Sequence, residues 1–375
     1  MREKARLGYL DSFRGIAAFS VFFSHYYGAF PTVTIPRWAT FSPLSFFRDG
    51  FGSVAMFFVL SGFVLTFQHF QKDSDFDLRK NLLPFVIARW VRIYLPFLVA
   101  LFISIGCLLI FGNDHSLPDA NIWFTNIWAE PLTLNSIAKQ AALFVNIPFD
   151  PMIPQSWTLS IELLASMLMP FLTLIASKTA LGFIFFIILN LKKRWFLFHF
   201  AAGILIAKYY SNLEKYSKQI PSLHRVVLFV ISLYFYTWYF SRTEFYAENL
   251  AGVVYDHYWY IMGIGSAGII VLTMGSTKLK NFFEWGPLTY LGRISYSIYL
   301  IHFIVLKTVS VAIFSAGIKY NIAQTTSFKI AAMSLTVISV ILMAEIFYRF
   351  VEVPLIHLGR RTYQKVYLTS EKMAL

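Results

Sequence analysis

Charge is scarce in this 375-residue chain: Asp, Glu, Lys and Arg together make up 14%, where a soluble globular domain carries roughly 25%. That shortage excludes an ordinary water-exposed surface over most of the chain. Cysteine is nearly missing. The single copy, Cys107, lies inside an apolar run, so no intrachain disulfide and no cysteine-based metal cluster is possible. Segments that alternate polar and apolar residues are also lacking, which argues against a β-barrel. No internal repeat, low-complexity tract or linker breaks the chain into soluble pieces, and no metal-ligand spacing stands out.

What is abundant is apolar surface. Hydrophobic residues make up 57% of the chain, with 40 Phe, 21 Tyr and 9 Trp. They fall in runs close to the ~20 residues that a helix needs to cross a bilayer. The expected fold is an all-α, polytopic transmembrane helical bundle of about ten spans: 9–29, 51–70, 88–111, 158–177, 179–191, 195–210, 225–241, 255–275, 288–312 and 328–352. The first span is expected to be retained, since "SHYYGAF" is not a small-residue cleavage site. The net charge of +13 sits mainly in short clusters between spans, which is a topology signal and not a nucleic-acid footprint. Arg2, Lys4 and Arg6; Lys72, Arg79 and Lys80; Lys208, Lys215, Lys218 and Arg225; Lys278 and Lys280; and Arg360, Arg361 and Lys365 all fall on one face in this count. Both termini are therefore expected in the cytoplasm, and the protein integral to the plasma (bacterial inner) membrane. Residues 1–354 would form the membrane domain, Pro354 would end the last helix, and 355–375 would be a short cytoplasmic tail. The cluster "LKKRW" at 191–195 falls on the opposite face. The loop 112–156 would lie outside, with Asp114, Asp119, Glu130 and Asp150.

Against that background a few polar residues stand out. The first span carries Asp11, Arg14 and His25. Arg14 and His25 are 11 residues apart, about three helical turns and ~16 Å of rise, so they share a face. Ionisable groups inside spans mark sites and pathways, although a lone histidine on a helix is also a common packing residue. Arg89 and Arg92, three apart, share a helix face at the start of the third span. They are either membrane-surface anchors or a phosphate clamp, since the guanidinium fork matches phosphate oxygens. Glu162 lies near the outer end of the fourth span. Ser295, Tyr299 and His302 form a polar face on the ninth, and Glu345, Arg349 and Glu352 follow at helical spacing, read as mutually neutralising structural charges.

These stretches, in this order, resemble the acyltransferase-3 family of integral membrane O-acyltransferases. "LDSFRGIAAFSVFFSH" looks like the family's opening motif, with Arg14, Gly15 and His25 in matching places. "FFVLSGFVLT" is similar to its second-span motif, with Ser61 and Gly62; "ARWVRIYLP" to its RxxR motif, with Arg89 and Arg92; "SWTLSIE" to its Trp-Ser-Leu-x-x-Glu motif, with Thr158 in place of Ser and with Glu162. "LGRISYSIYLIH" and "FYRFVEVP" resemble its late motifs. The chain looks shorter than the family norm between Glu162 and "FHFAAGILIA", and an appended periplasmic esterase-like domain is not expected.

The resemblance implies transfer of an acyl group, most often acetyl, from acyl-CoA as co-substrate, with no permanently bound cofactor. The partners implied are acyl-CoA, a glycan or lipid-linked saccharide acceptor, and membrane lipids. Arg89 and Arg92 would bind the donor phosphates. His25 would act as general base, with Glu162 orienting its ring and Arg14 aligning the thioester or its oxyanion; Asp11, Ser61, Tyr299 and His302 would support them. An acyl-histidine intermediate remains a second route. A proton-coupled transporter or flippase would use the same intramembrane Arg, His and Glu groups, but the halves of the chain do not repeat each other as many transporters do.

Overall fold

A computed structural model describes residues 7–30, 32–72, 78–112, 117, 120–129, 131–143, 152–179, 183–184, 195–238 and 257–373. Every regular element among them is helical. The helices include α1 (Gly8–Ala29), α2 (Gly50–Lys72), α3 (Leu78–Phe111), α4 (Ile122–Asn126), α5 (Ser156–Lys178), α6 (Trp195–Lys208), α7 (Tyr210–Gln219) and α8 (Ser222–Tyr236). They continue with α9 (Tyr258–Met274), α10 (Thr277–Phe283), α11 (Gly286–Arg293), α12 (Ser295–Val305), α13 (Val311–Lys319), α14 (Thr326–Phe347) and α15 (Val353–Met373). Short polar residues set several starts. Ser276 accepts from the Leu279 N–H, and Thr325 from the Phe328 N–H, each satisfying a donor that an uncapped helix leaves orphaned. Asp11 sits in the first turn of α1, where a negative charge meets the positive end of the helix dipole.

Among the described residues, five helical stretches are long and apolar enough to cross a membrane: Gly50–Gln71, Leu82–Phe111, Ser156–Lys178, Ser295–Lys319 and Thr326–Leu368. The pair α9 and α10, bent by 109°, would make a sixth if it is one broken span. Ten spans were expected. Part of the difference is length: α6 and α8 are helices of only 14 and 15 residues. The span expected at 288–312 is broken at Ile294, whose backbone leaves the helical region, so α11 and α12 are separate helices. Residues 180–182 and 185–191 of the span expected at 179–191, the cluster at 191–194 and Asp114, Asp119, Glu130 and Asp150 lie outside the described residues.

The last helix also corrects an expectation. Pro354 does not end it. A π-helical turn at Tyr348–Glu352 runs straight into α15, which reaches Met373. Proline costs a helix because it lacks an N–H and its ring meets the carbonyl four residues back. Here the i to i−4 ladder is already relaxed into wider bonds just before it. Residues 355–373 thus extend the helix and pack along α3, where Gly359 lies against Ala88 and Val91.

The chain divides into two compact units. The first comprises Met1–Val21, Ile35–Phe76 and Leu168–Ser295. Its core joins Tyr9, Phe13 and Ala17 of α1 to Met56, Val59 and Phe63 of α2, Ile206 of α6 and Ile270 of α9. Backbones touch at glycine: Gly62 meets Phe200, and Gly203 meets Val59 and Phe63, so α2 and α6 approach more closely than any side chain would allow. Gly15 and Gly292 do the same for α1 and α11. The second unit comprises Phe22–Thr34, Asp77–Met167 and Tyr296–Leu375. Phe22, Tyr26, Phe97, Phe124, Trp128 and Phe303 are fully buried in it. Outward it leaves apolar side chains exposed, among them Phe102, Leu109 and Ile110 on α3 and Leu335, Ile338 and Leu342 on α14, as a lipid-facing surface does.

Candidate active site

The polar residues of the second unit converge on α12. His302 is fully buried there. Its Nδ1 lies 3.0 Å from the Ile298 carbonyl oxygen, one turn back on the same helix. Its Nε2 lies 2.9 Å from Nδ1 of His25. The two rings are 9° from parallel with centroids 5.2 Å apart, so they meet edge to edge in nearly one plane, as a ring-to-ring hydrogen bond requires. His25 is half-buried.

Aromatic rings surround the pair. Phe303 meets His25 edge-on at 5.7 Å, Trp123 lies at 5.9 Å, and Phe22 and Tyr299 flank His302 at 6.5 and 6.1 Å. Trp123 is held in place because its indole N–H donates to the Gly28 carbonyl at 3.1 Å. Its short helix α4 is held in turn by Lys307, which donates to the Phe124 carbonyl at 3.2 Å and lies over the Phe124 ring. Lys307 belongs to a second π-helical turn, Leu306–Ser310, directly after α12. That turn rotates the lysine inward, where it is 1% exposed.

The start of α5 clamps the other side of α12. The Gln155 amide donates to the Tyr299 carbonyl at 2.8 Å, and the Tyr299 hydroxyl donates back to the Gln155 carbonyl at 3.2 Å. Thr158 shares a 2.5 Å hydrogen bond with the same hydroxyl. One turn further along α5, half-buried Glu162 is in electrostatic reach of Tyr296 and Tyr299. The Tyr296 hydroxyl donates to the Ile93 carbonyl at 2.6 Å, and Arg92 and Glu352 also act on it. Arg92 itself is exposed and Arg89 half-buried. Arg92, acting on Tyr296, and the histidine pair at His302 thus address one helix, about six residues or ~9 Å of rise apart.

Other residues singled out in the sequence lie elsewhere. Asp11 lines an open cleft of about 510 Å³ in the first unit, with Glu284, Thr289, Tyr290 and Arg293. Ser61 is buried on α2 beside the Gly62 contact. Arg14 is on α1, three turns before His25. The group bonded to His25 Nδ1 is His302, while Glu162 is in electrostatic reach of Tyr296 and Tyr299. The Glu345, Arg349, Glu352 trio also separates. Glu345 pairs with Arg349 at 2.6 Å, but the π turn rotates Glu352 off that face, and it accepts from Ser297 at 2.6 Å. Trp123, Gln155, Tyr296 and Lys307 were not foreseen. Gln155 stands beside the Trp-Thr-Leu motif, Tyr296 lies inside the late motif at 291–302, and Lys307 is a lone lysine in an apolar run, so all three left a trace; Trp123 left none.

A helical protein with several bilayer-length apolar helices, a hydrogen-bonded histidine pair on two of its helices and an arginine pair on a third is a multi-span membrane protein with an internal polar site. A family model described as an acyltransferase domain matches residues 7–345, and the chain belongs to that family, acyltransferase-3. Among curated proteins it is 25% identical to the O-acetyltransferase PaAT-1 of Phomopsis amygdali, over 86% of this chain and 76% of that one. It is 26% identical to a protein of Staphylococcus aureus strain COL that is provisionally named an O-acetyltransferase, over 92% of this chain and 56% of that one. The chain thus spans little more than half the length of the staphylococcal relatives. No solved structure matches it significantly.

Proposed function

We propose that the protein is a membrane O-acyltransferase that moves an acyl group, preferentially acetyl, from cytoplasmic acyl-CoA to a hydroxyl of a glycan or another exported acceptor. The observation that carries this reading is the His25–His302 bond inside an aromatic collar, a base held in a fixed orientation in the family's opening motif. His25 takes the proton from the acceptor hydroxyl as its oxygen attacks the thioester carbonyl. The tetrahedral intermediate then collapses, the C–S bond breaks, and the proton passes to the departing CoA thiolate. Arg89 and Arg92 bind the donor phosphates, since a guanidinium pair on one helix face matches that chemistry. Glu162, through Tyr296 and Tyr299, sets the field along α12. The names of the relatives favour acetyl, and the site lies in the plasma membrane.

The test uses inverted membrane vesicles from cells producing the protein, given radiolabelled acetyl-CoA. Label should appear in the glycan fraction and vanish with His25→Gln, a loss of ~100-fold or more as for other missing general bases. Acetyl-CoA binding to purified His25→Gln should be kept. Wild-type labelling by the Gln variant would overturn the reading of His25 as the base.

A further inference from the structure

Two hydrogen bonds in series determine which nitrogen of His25 is basic, and this deepens the general-base reading above, on which it rests. A carbonyl oxygen can only accept, so His302 Nδ1, 3.0 Å from the Ile298 oxygen, must carry a proton. In a neutral His302 the other nitrogen, Nε2, is then a lone pair. The atom facing that lone pair at 2.9 Å is Nδ1 of His25, which must therefore be the protonated nitrogen of His25. What is left is a lone pair on His25 Nε2, on the far side of the ring from His302.

We propose that His302 is the positioning residue of the base: it holds His25 in the Nδ1–H tautomer, aims Nε2 at the acceptor hydroxyl, and stabilises the imidazolium that forms when Nε2 takes the proton. The proton balance is simple. His25 gains one proton at Nε2 and keeps the one at Nδ1, which bonds more strongly to the His302 lone pair once His25 is charged. When the proton leaves to the CoA thiolate, the original tautomer returns. His302 takes the place that a carboxylate holds in a Ser-His-Asp triad, with two differences. It is neutral in the resting state, and its own orientation is fixed by the backbone of α12. Burial supports this arrangement: His302 is fully buried, and the rings of Phe22, Tyr299 and Phe303 lie around it. The Gln155 and Tyr299 clamp fixes the turn of α12 just before it, which supplies the Ile298 carbonyl.

The test compares His302→Leu, which removes the acceptor, with His302→Gln, whose side-chain oxygen accepts in nearly the same place. Initial rates of label transfer from radiolabelled acetyl-CoA to the glycan fraction of inverted vesicles are measured across donor concentrations. The Leu variant should lose at least tenfold in limiting rate, with KM for acetyl-CoA within twofold of wild type, and the Gln variant should recover most of the rate. Separately, 15N NMR of histidine-labelled protein in lipid should show His25 protonated at Nδ1 in wild type and in the Gln variant, and a mixture of tautomers in the Leu variant. The NMR readout needs no activity, so it holds even if the Leu variant transfers nothing. An Nε2–H tautomer for wild-type His25, or a limiting rate in the Leu variant within twofold of wild type, would overturn the proposal. Loss of transfer in His25→Gln with full transfer in His302→Leu would overturn this inference alone. Full transfer in His25→Gln would overturn the general-base reading, while the NMR readout would still report whether His302 sets the tautomer.

Discussion

Replacing Gly15 with Ala adds one methyl group where two helix backbones already touch. A Cβ at Gly15 would lie 2.5 Å from the Gly292 nitrogen, 2.7 Å from the Leu291 carbonyl carbon and 2.9 Å from the Leu291 Cβ. Nothing in that set is the far end of a flexible side chain, so α1 and α11 must part until the nearest contact opens from 2.5 Å to the 3.4 Å where ordinary contact begins. Overpacking of this kind costs about 1–3 kcal/mol, and rigid backbone on the far side places the cost at the upper end. Alanine's better helix propensity offsets up to about 1 kcal/mol of it. The expected net loss is about 1–2 kcal/mol in reversible unfolding of the purified protein in mixed micelles. Gly106→Ala is the internal control. It lies within α3, and a Cβ there meets nothing within 4 Å, so the same substitution should stabilise by about 0.5–1 kcal/mol. Since Arg14 precedes Gly15, label transfer should fall together with stability. A Gly15→Ala protein as stable as wild type, beside a stabilised Gly106→Ala, would refute the claim that this glycine serves backbone contact.

Three further outcomes follow from paired polar groups. Asp49 is fully buried, its Oδ1 accepts from the Gly52 N–H at 2.7 Å, and burial pushes its carboxyl up to about 7. The folded state therefore binds the proton more tightly than the unfolded chain, so stability should fall as pH rises from about 4 to about 7; Asp49→Asn should flatten that slope by on the order of a few kcal/mol, and an unchanged profile in thermal unfolding would contradict it. Ser297→Ala removes the donor to buried Glu352 and should cost about 1.5–3 kcal/mol in denaturant unfolding, as for hydrogen bonds to charged groups; a cost below 0.5 kcal/mol would mean that Glu352 is held by others. Lys280→Ala breaks the 2.9 Å pair with Glu214, whose carboxyl is held below the usual range chiefly by that hydrogen bond. Both groups are partly exposed, so the loss should stay under about 1 kcal/mol, shrink with added salt, and disappear at acid pH as Glu214 is protonated; a larger, salt-independent loss would show that the pair is effectively buried.

The helical class, the membrane environment and the family could all be read along the chain, because they depend on local quantities. Long apolar runs with few charges imply helices in lipid, since a spanning segment must satisfy its own backbone. Arg14, Gly15, His25, Arg89, Arg92 and Glu162 were legible as motif residues because their spacing lies within single helices. The number of spans was less legible. The break at Ile294 and the continuation past Pro354 depend on individual backbone turns, and a π turn inserts a residue without any change in composition. That inserted residue is also why Glu352 leaves the face of Glu345 and Arg349 and turns to Ser297.

By itself, the order of residues determined that His25 would sit on an otherwise apolar helix and that His302 would lie on a polar face of another. Only the tertiary structure decided that the two rings meet, since they are 277 residues apart and no periodicity within either helix encodes a contact across that distance. It likewise decided that Glu162 would come within electrostatic reach of Tyr296 and Tyr299 while Lys307 would turn inward to hold the Trp123 helix. Which nitrogen of His25 keeps its lone pair is a property of that packing: it follows from a carbonyl on α12 that can only accept, passed through one ring to the next.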